Sequence, residues 1–264
     1  MISVMGVVNV TPDSFSDGGD YLDIDAAVAH GLRLLEYGAS VLDIGGESTR
    51  PGALPVDRET ELARVIPVIE ELHRQRPDAV LSIDTSKAEV ADAALRVGAS
   101  IVNDVSASLE VVAAEHGAGW VAMHARGPSA TMQDDPRYDD VVAEVATFLD
   151  EAARRGRQAG VSNLWVDPGI GFGKTDDHNL ELLANLERFC RIERVLVGAS
   201  RKRIVGVLHG RSDRGVDGHQ PEISPVADRL EGSLALAVWS AFLGADMVRV
   251  HDVRATVHAV GVMP

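Results

Sequence analysis

Only one cysteine, Cys190, occurs in the 264-residue sequence, so no intramolecular disulfide can form and nothing argues for an oxidising compartment. The plain reading of that residue is a small, partly buried side chain. No stretch of about 18 consecutive apolar residues is present, which excludes a spanning helix. Residues 1–9 carry no basic region and are too short and interrupted for a signal peptide. Positive charge is scarce: 25 Lys and Arg stand against 40 Asp and Glu, giving a net charge of −15 and a pI near 4.9. Such a surface repels phosphate backbones and anionic lipid. The expectation is a soluble cytoplasmic protein with no nucleic-acid or membrane partner, in which any anion site is a local basic cluster. Also missing is a Gly-x-Gly-x-x-Gly turn after the first apolar run, which argues against a doubly wound open sheet.

What is present is a repeated alternation. Eight short, β-branched apolar runs fall at 4–8, 41–44, 80–83, 101–102, 120–123, 164–166, 195–197 and 247–250. They are continuously apolar rather than alternating, as strands of a parallel sheet buried on both faces are. Between them the spacing is helical. Val28, Leu32 and Leu35 recur at i, i+4 and i+7. Leu62, Val65, Ile66, Ile69 and Leu72 form a longer stripe, and Val141, Val142, Val145, Phe148, Leu149 and Ala152 another. Ser86 with Glu89 fits a capping box, and Ser224 and Asp228 fit start signals for a late helix. Eight strands alternating with helices predict a (β/α)8 TIM barrel, one domain over residues 1–264. Segments 11–23, 126–138 and 209–225 read as long loops, the last a mobile insertion because it is polar and glycine-rich.

In such a barrel the active site lies at the C-terminal ends of the strands. There the runs end in Asn9, Asp43, Asp84, Asn103 and Asp104, Met123 and His124, Asp167, the segment 198–203, and Arg249 to Asp252. An Asp or Asn after a strand is often a helix cap, but independent capping does not gather such groups at one mouth. Arg201, Lys202, Arg203, Arg249 and His251 form a cationic subset on strands seven and eight, where barrels often bind phosphate. Asp84, Asn103 and Asp167 form a second subset. Their acceptors and single amide could read the edge of a nitrogen-rich heterocycle or hold a hard metal ion.

The segments 9–19, 43–52, 82–85, 103–106, 167–174, 200–202 and 249–252 together resemble the dihydropteroate synthase family, in order and across nearly the whole chain. The resemblance implies a barrel transferase of folate biosynthesis, homodimeric, using Mg2+ and competed by sulfonamides. It joins 6-hydroxymethyl-7,8-dihydropterin diphosphate to 4-aminobenzoate with release of pyrophosphate. By position it implies that Asp84, Asn103 and Asp167 bind the pterin ring beside Met123 and Phe172, which favours the heterocycle over the metal. It places Lys202 between pterin and aminobenzoate. It assigns Asn9, Arg249 and His251 to the diphosphate, and Asn9 also to Mg2+. Phe15 and Asp17 from the first loop and Thr49, Arg50 and Pro51 from the second complete the aminobenzoate pocket. Asp17, Lys202, Arg249 and His251 are the catalytic candidates.

The sequence departs from the family pattern at Ala107 and Ser108, where two glycines are usual, at Arg203, where serine is common, and in the length of 209–225. Two other readings use the same residues: a pterin-dependent methyltransferase, which has no need of a diphosphate site, and a non-catalytic pterin-binding paralogue, which has no need of the loop residues.

Overall fold

The computed structural model describes residues 2–11, 19–48, 53–217 and 223–263. The chain alternates strand and helix: β1 (Ser3–Asn9), α1 (Gly19–Glu36), β2 (Val41–Gly45), α2 (Arg58–Gln75), β3 (Leu81–Asp84), α3 (Ala88–Arg96), β4 (Ile101–Asp104), α4 (Glu110–Glu115) and β5 (Gly119–Met123). It continues with α5 (Val141–Ala159), β6 (Leu164–Asp167), α6 (Asp176–Ala184), α7 (Leu186–Cys190), β7 (Arg194–Val197), α8 (Arg203–Asp217), a 3-10 turn (Val226–Asp228), α9 (Leu230–Phe242), β8 (Met247–Val250) and α10 (Val253–Gly261). The strands pair in chain order, all parallel, and β8 closes on β1 with Ser3 opposite Met247. The predicted (β/α)8 barrel is present, each strand within two residues of the run that foretold it. Cys190 is partly buried.

Two apolar layers hold the barrel. The larger packs the outward strand residues against the helices, where Val65, Ile69 and Leu72 of α2 and Val145 and Leu149 of α5 are fully buried. The smaller comprises Met5, Val41, Ile101, Val121, Trp165, Leu196 and Met247, one residue from each of seven strands. Side chains in a strand repeat their facing every second residue. Counting two residues on from this inner layer gives Val7, Asp43, Asn103, Met123, Asp167, Gly198 and Arg249, with Asn9 and Asp84 at the ends of β1 and β3. The residues that bear chemistry are therefore the next inward layer above an apolar plug. Trp165 anchors that plug: its indole donates to Asp246 at 2.8 Å and its ring is covered by Arg194 at 4.0 Å. Truncating a fully buried plug residue such as Leu196 to alanine costs about 2–5 kcal/mol.

Three local expectations are corrected. Ser86 does not cap α3, because Lys87 is the N-cap residue and makes no capping side-chain bond. The Lys87 ammonium is instead drawn to Glu47 and to the buried Glu61, 2.5 Å away. Ser224 and Asp228 do not cap α9 either. Arg229 stands at its start, and its guanidinium fastens the preceding turn by donating to the Ser224 and Arg201 carbonyls at 2.8 and 2.9 Å. Segment 209–225 is no structureless insertion, since α8 runs through it to Asp217 and residues 218–222 lie outside the described range. Polar composition does not exclude a helix, whose backbone satisfies itself.

Candidate active site

The polar layer is knit across the barrel. Asp43, with no exposed surface, accepts from Asn103 Nδ2 at 3.0 Å and from Arg249 Nε at 2.6 Å through Oδ2. Its Oδ1 has no hydrogen-bond partner among the described residues. Arg249 reaches on with Nη2 to Asp84 Oδ2 at 2.7 Å. Across the mouth, buried Asp167 accepts from Gly169 N at 2.7 Å. Lys202 donates to the Ile170 carbonyl, with its ammonium 4.2 Å from the centre of the Phe172 ring. Met123 is buried beside Asp167, its partner in strand register, and half-buried Asn9 ends β1. His251 lies against Ser200, whose Oγ is 3.2 Å from both its backbone N and its Nδ1.

Burial dominates the electrostatics. It pushes the Asp84 carboxyl up to about 7, with Arg249 opposing and the neighbouring Asp43 carboxylate reinforcing the rise. Asp167 is raised for the same first reason, against the pull of Lys202. Burial brings Lys202 down to about 8 although Asp167 favours its charge. For Arg249 burial acts downward, but Asp43 and Asp84 outweigh it and hold the guanidinium charged. A low-dielectric site in which Arg249 stands with Asp43 and Asp84, and Lys202 with Asp167, suits a flat, hydrogen-bonding heterocycle joined to an anion.

Of the cationic subset, Arg249 stands in this layer and Lys202 acts on its Asp84 and Asp167, while His251, just past β8, is held by Ser200. Arg201 is bound to Asp252 at 2.5 and 2.9 Å, and Arg203 to Asp176 at 2.6 Å, so both are neutralised at the rim. Phe15, Asp17, Thr49, Arg50 and Pro51 lie outside the described residues. The stem of the second loop is nonetheless anchored, by Arg64 donating to the Gly46 carbonyl at 2.7 Å and by Lys87 holding Glu47. Sequence reasoning gave no role to Asp43, Lys174 or His124. Asp43 could have been found by counting two residues on from the inward Val41. Lys174 and His124 are joined across 50 positions of chain, at 2.9 Å, and no local signal marks that contact.

The fold and this layer define a small-molecule site of the barrel enzymes, at the mouth formed by the strands' C-terminal ends. The profile described as pterin binding enzyme matches residues 5–251. The chain is 46% identical over 267 residues to the dihydropteroate synthase of Escherichia coli, covering 98% of this chain and 90% of that one. It superposes on a Xanthomonas albilineans dihydropteroate synthase solved with 4-aminobenzoic acid at a TM-score of 0.88, with 48% identity and coverage of 99% and 91%. For the same enzyme in complex with 7,8-dihydropteroate the TM-score is 0.85, with 46% identity and coverage of 99% and 92%. The chain belongs to the pterin-binding enzyme family, among its dihydropteroate synthases.

Proposed function

We propose that the chain condenses 6-hydroxymethyl-7,8-dihydropterin diphosphate with 4-aminobenzoate, giving 7,8-dihydropteroate and pyrophosphate. The observation that carries this reading is the single polar layer in which Asp84, Asn103 and Asp167 face Lys202 and Arg249 above the apolar plug. Asp84, Asn103 and Asp167 bind the pterin edge, Met123 and Phe172 flank the ring, and Lys202 lies between the two substrates. Asn9, Arg249 and His251 hold the diphosphate. Phe15, Thr49, Arg50 and Pro51 complete the aminobenzoate pocket. Three carboxyl and amide groups reading a ring, with a guanidinium beside them, divide the substrate into a recognised heterocycle and a stabilised leaving group.

In the reaction the bond between the pterin methylene carbon and the diphosphate oxygen breaks, and its electron pair leaves with pyrophosphate. The dihydropterin spreads the resulting positive charge, and the role we assign to the Asp17 carboxylate is to stabilise it. The neutral arylamine nitrogen then forms the new bond to carbon and releases a proton to solvent, so no strong base is required. Arg249 and His251 hold the departing oxygens. Among the described residues no three His, Cys, Asp or Glu side chains gather around a metal position. The amide oxygen of Asn9 fits an ion held mainly by substrate phosphate and water, as Mg2+ commonly is. Bound there, Mg2+ neutralises charge on the diphosphate.

The same reading makes the protein a cytoplasmic homodimer. Trp239 and Phe242 of α9 support the dimer: they leave 45% and 72% of their surface exposed, with ring centres 6.2 Å apart. Sedimentation of the wild type against a Trp239→Ser/Phe242→Ser variant tests it, a loss of the dimer being expected. No helix among the described residues is long and apolar enough to cross a membrane. For the reaction, pyrophosphate release is measured with Mg2+ and the pterin diphosphate, with and without 4-aminobenzoate. Release that depends on aminobenzoate and yields dihydropteroate is expected. Pterin binding without such release would mean a non-catalytic binding protein.

A further inference from the structure

Lys174 follows the loop after β6 and is almost completely buried, at 3% exposure. Its ammonium lies 2.9 Å from His124 Nδ1, 3.3 Å from His124 O, 3.0 Å from Gly169 O and 3.0 Å from Phe172 O. All four partners are neutral acceptors, and three are backbone carbonyls of two separate segments. No carboxylate is among its hydrogen-bond partners in the described residues; burial brings its pKa down to about 7, and Asp167 favours its charge only through space. A tight loop that turns several carbonyls onto one buried positive centre is the arrangement that loops adopt around a cation.

The loop is built to wrap. Gly169 and Gly173 have φ of +67° and +63°, and a Cβ at either would fall 1.8 Å from His124 O or 2.3 Å from Arg126 O. The backbone is thus pressed against the segment after β5, at a spacing only glycine allows. Three residues of this loop, Gly169, Ile170 and Phe172, deliver groups to the polar layer. Gly169 N donates to Asp167, Ile170 O receives the Lys202 ammonium, and the Phe172 ring lies under that ammonium.

We propose that Lys174 is a positioning residue for the pterin site. Its tethered ammonium acts as the loop's internal cation, gathering the carbonyls of His124, Gly169 and Phe172, and so fixes the Ile170 carbonyl and Phe172 ring that hold Lys202. The link to pterin affinity rests on the assignment of Lys202 and Asp167 to the pterin; the link to Lys202 does not.

The test uses the full-length protein carrying 13C-lysine, with the Lys202 Cε resonance assigned by its loss in Lys202→Met. In Lys174→Met, which keeps the side-chain volume and removes the charge, the Lys202 resonance should move towards that of exposed lysines. Affinity for a pterin without phosphate, measured by calorimetry, should fall about tenfold or more. In Lys174→Ala, added propylammonium should restore much of the lost affinity while sodium at equal ionic strength should not. A Lys202 resonance unmoved in Lys174→Met overturns the proposal. If the resonance moves and affinity does not change, Lys174 does hold Lys202, and it is the pterin assignment of Lys202 that fails. If both variants and Lys174→Arg do not fold, Lys174 is a stability residue and the proposal is wrong.

Discussion

Arg249 Nη2 lies 2.7 Å from Asp84 Oδ2, a contact that joins β8 to β3 across 165 positions of chain. The same guanidinium holds Asp43, so one cation compensates a fully buried carboxyl group and a partly buried one. Removing one partner of a buried ion pair leaves the other uncompensated, at a cost of about 3–5 kcal/mol. Arg249→Ala is therefore expected to lower the stability of the ligand-free protein by that order, read from denaturant midpoints. It should also weaken the pterin diphosphate by roughly 1.5–3 kcal/mol, the worth of charged hydrogen bonds. Calorimetry that gave the diphosphate substrate wild-type affinity in a folded Arg249→Ala protein would remove Arg249 from the diphosphate site.

Asp167 makes the complementary case. It is buried on the side of the mouth that Lys202 and Phe172 occupy, where Lys202 is the first of the nearby cations that favour its charge. Asp167→Ala is expected to abolish binding of a pterin that carries no phosphate. The same substitution leaves Arg249 paired with Asp43 and Asp84, so part of the affinity for the diphosphate compound should persist. Binding of the bare pterin to Asp167→Ala would break the ring-reading set.

His124 predicts an acid limit. Burial, with the Lys174 charge beside it, lowers its pKa from the usual 6.5 to about 3. Below pH 6.5 the unfolded chain therefore takes up a proton that the folded protein refuses. Stability is complete above pH 6.5 and is lost as pH falls from there towards 3, with a slope of up to about 1.4 kcal/mol per pH unit from this group. Asp84, raised to about 7, takes up a proton on folding and opposes that fall over the same range, so chemical denaturation between pH 7 and 4 is read as a difference between the wild type and a His124 variant. His124→Asn offers an oxygen to Lys174 without a titrating ring, and between pH 7 and 4 it should lose less stability than the wild type as pH falls. An equally steep curve would place the acid sensitivity elsewhere.

The strands could be read from the sequence because burial on both faces leaves continuous apolar runs, and because the closing pair, Ser3 with Met247, follows once eight such runs are in order. Much of the polar layer was legible for a related reason, since Asn9, Asp84, Asn103, Met123 and Asp167 each stand at or just past the end of a run. The helix start after β3 was not. Lys87, not Ser86, takes that position while its ammonium reaches Glu47 and Glu61, partners 40 and 26 positions away that local capping rules do not see. Charge misled in a similar way at Arg201 and Arg203. In sequence they belong with Lys202, and only the fold brings Asp252 and Asp176 to neutralise them. Lys174 was invisible as a structural cation because its acceptors are mostly backbone carbonyls, which every sequence contains.

Ala107 occupies one of the positions where glycine is usual, and it holds φ at +50°. The loop is fixed on every side. Asp104 accepts from Ser106 N, Ser108 N, Leu109 N and the Trp120 indole at 2.7–3.1 Å, and Arg155 donates to the Ala107 carbonyl at 2.6 Å. A left-handed backbone costs an alanine about 1–2 kcal/mol. Ala107→Gly relieves that strain but gives back roughly 0.5–1 kcal/mol in chain entropy and about 0.8 kcal/mol for a buried methyl. The opposing contributions nearly cancel, so the glycine variant should unfold within about 0.5 kcal/mol of the wild type, near the resolution of such comparisons. Ala107→Val has no such compensation, because a β-branched side chain is a poor fit to this backbone, and strain on the order of 2 kcal/mol is expected. Denaturant midpoints decide the matter. If glycine stabilised the protein by several kcal/mol, the loop would be paying far more for its alanine than its hydrogen bonds imply, and Asp104 would be the residue to vary next.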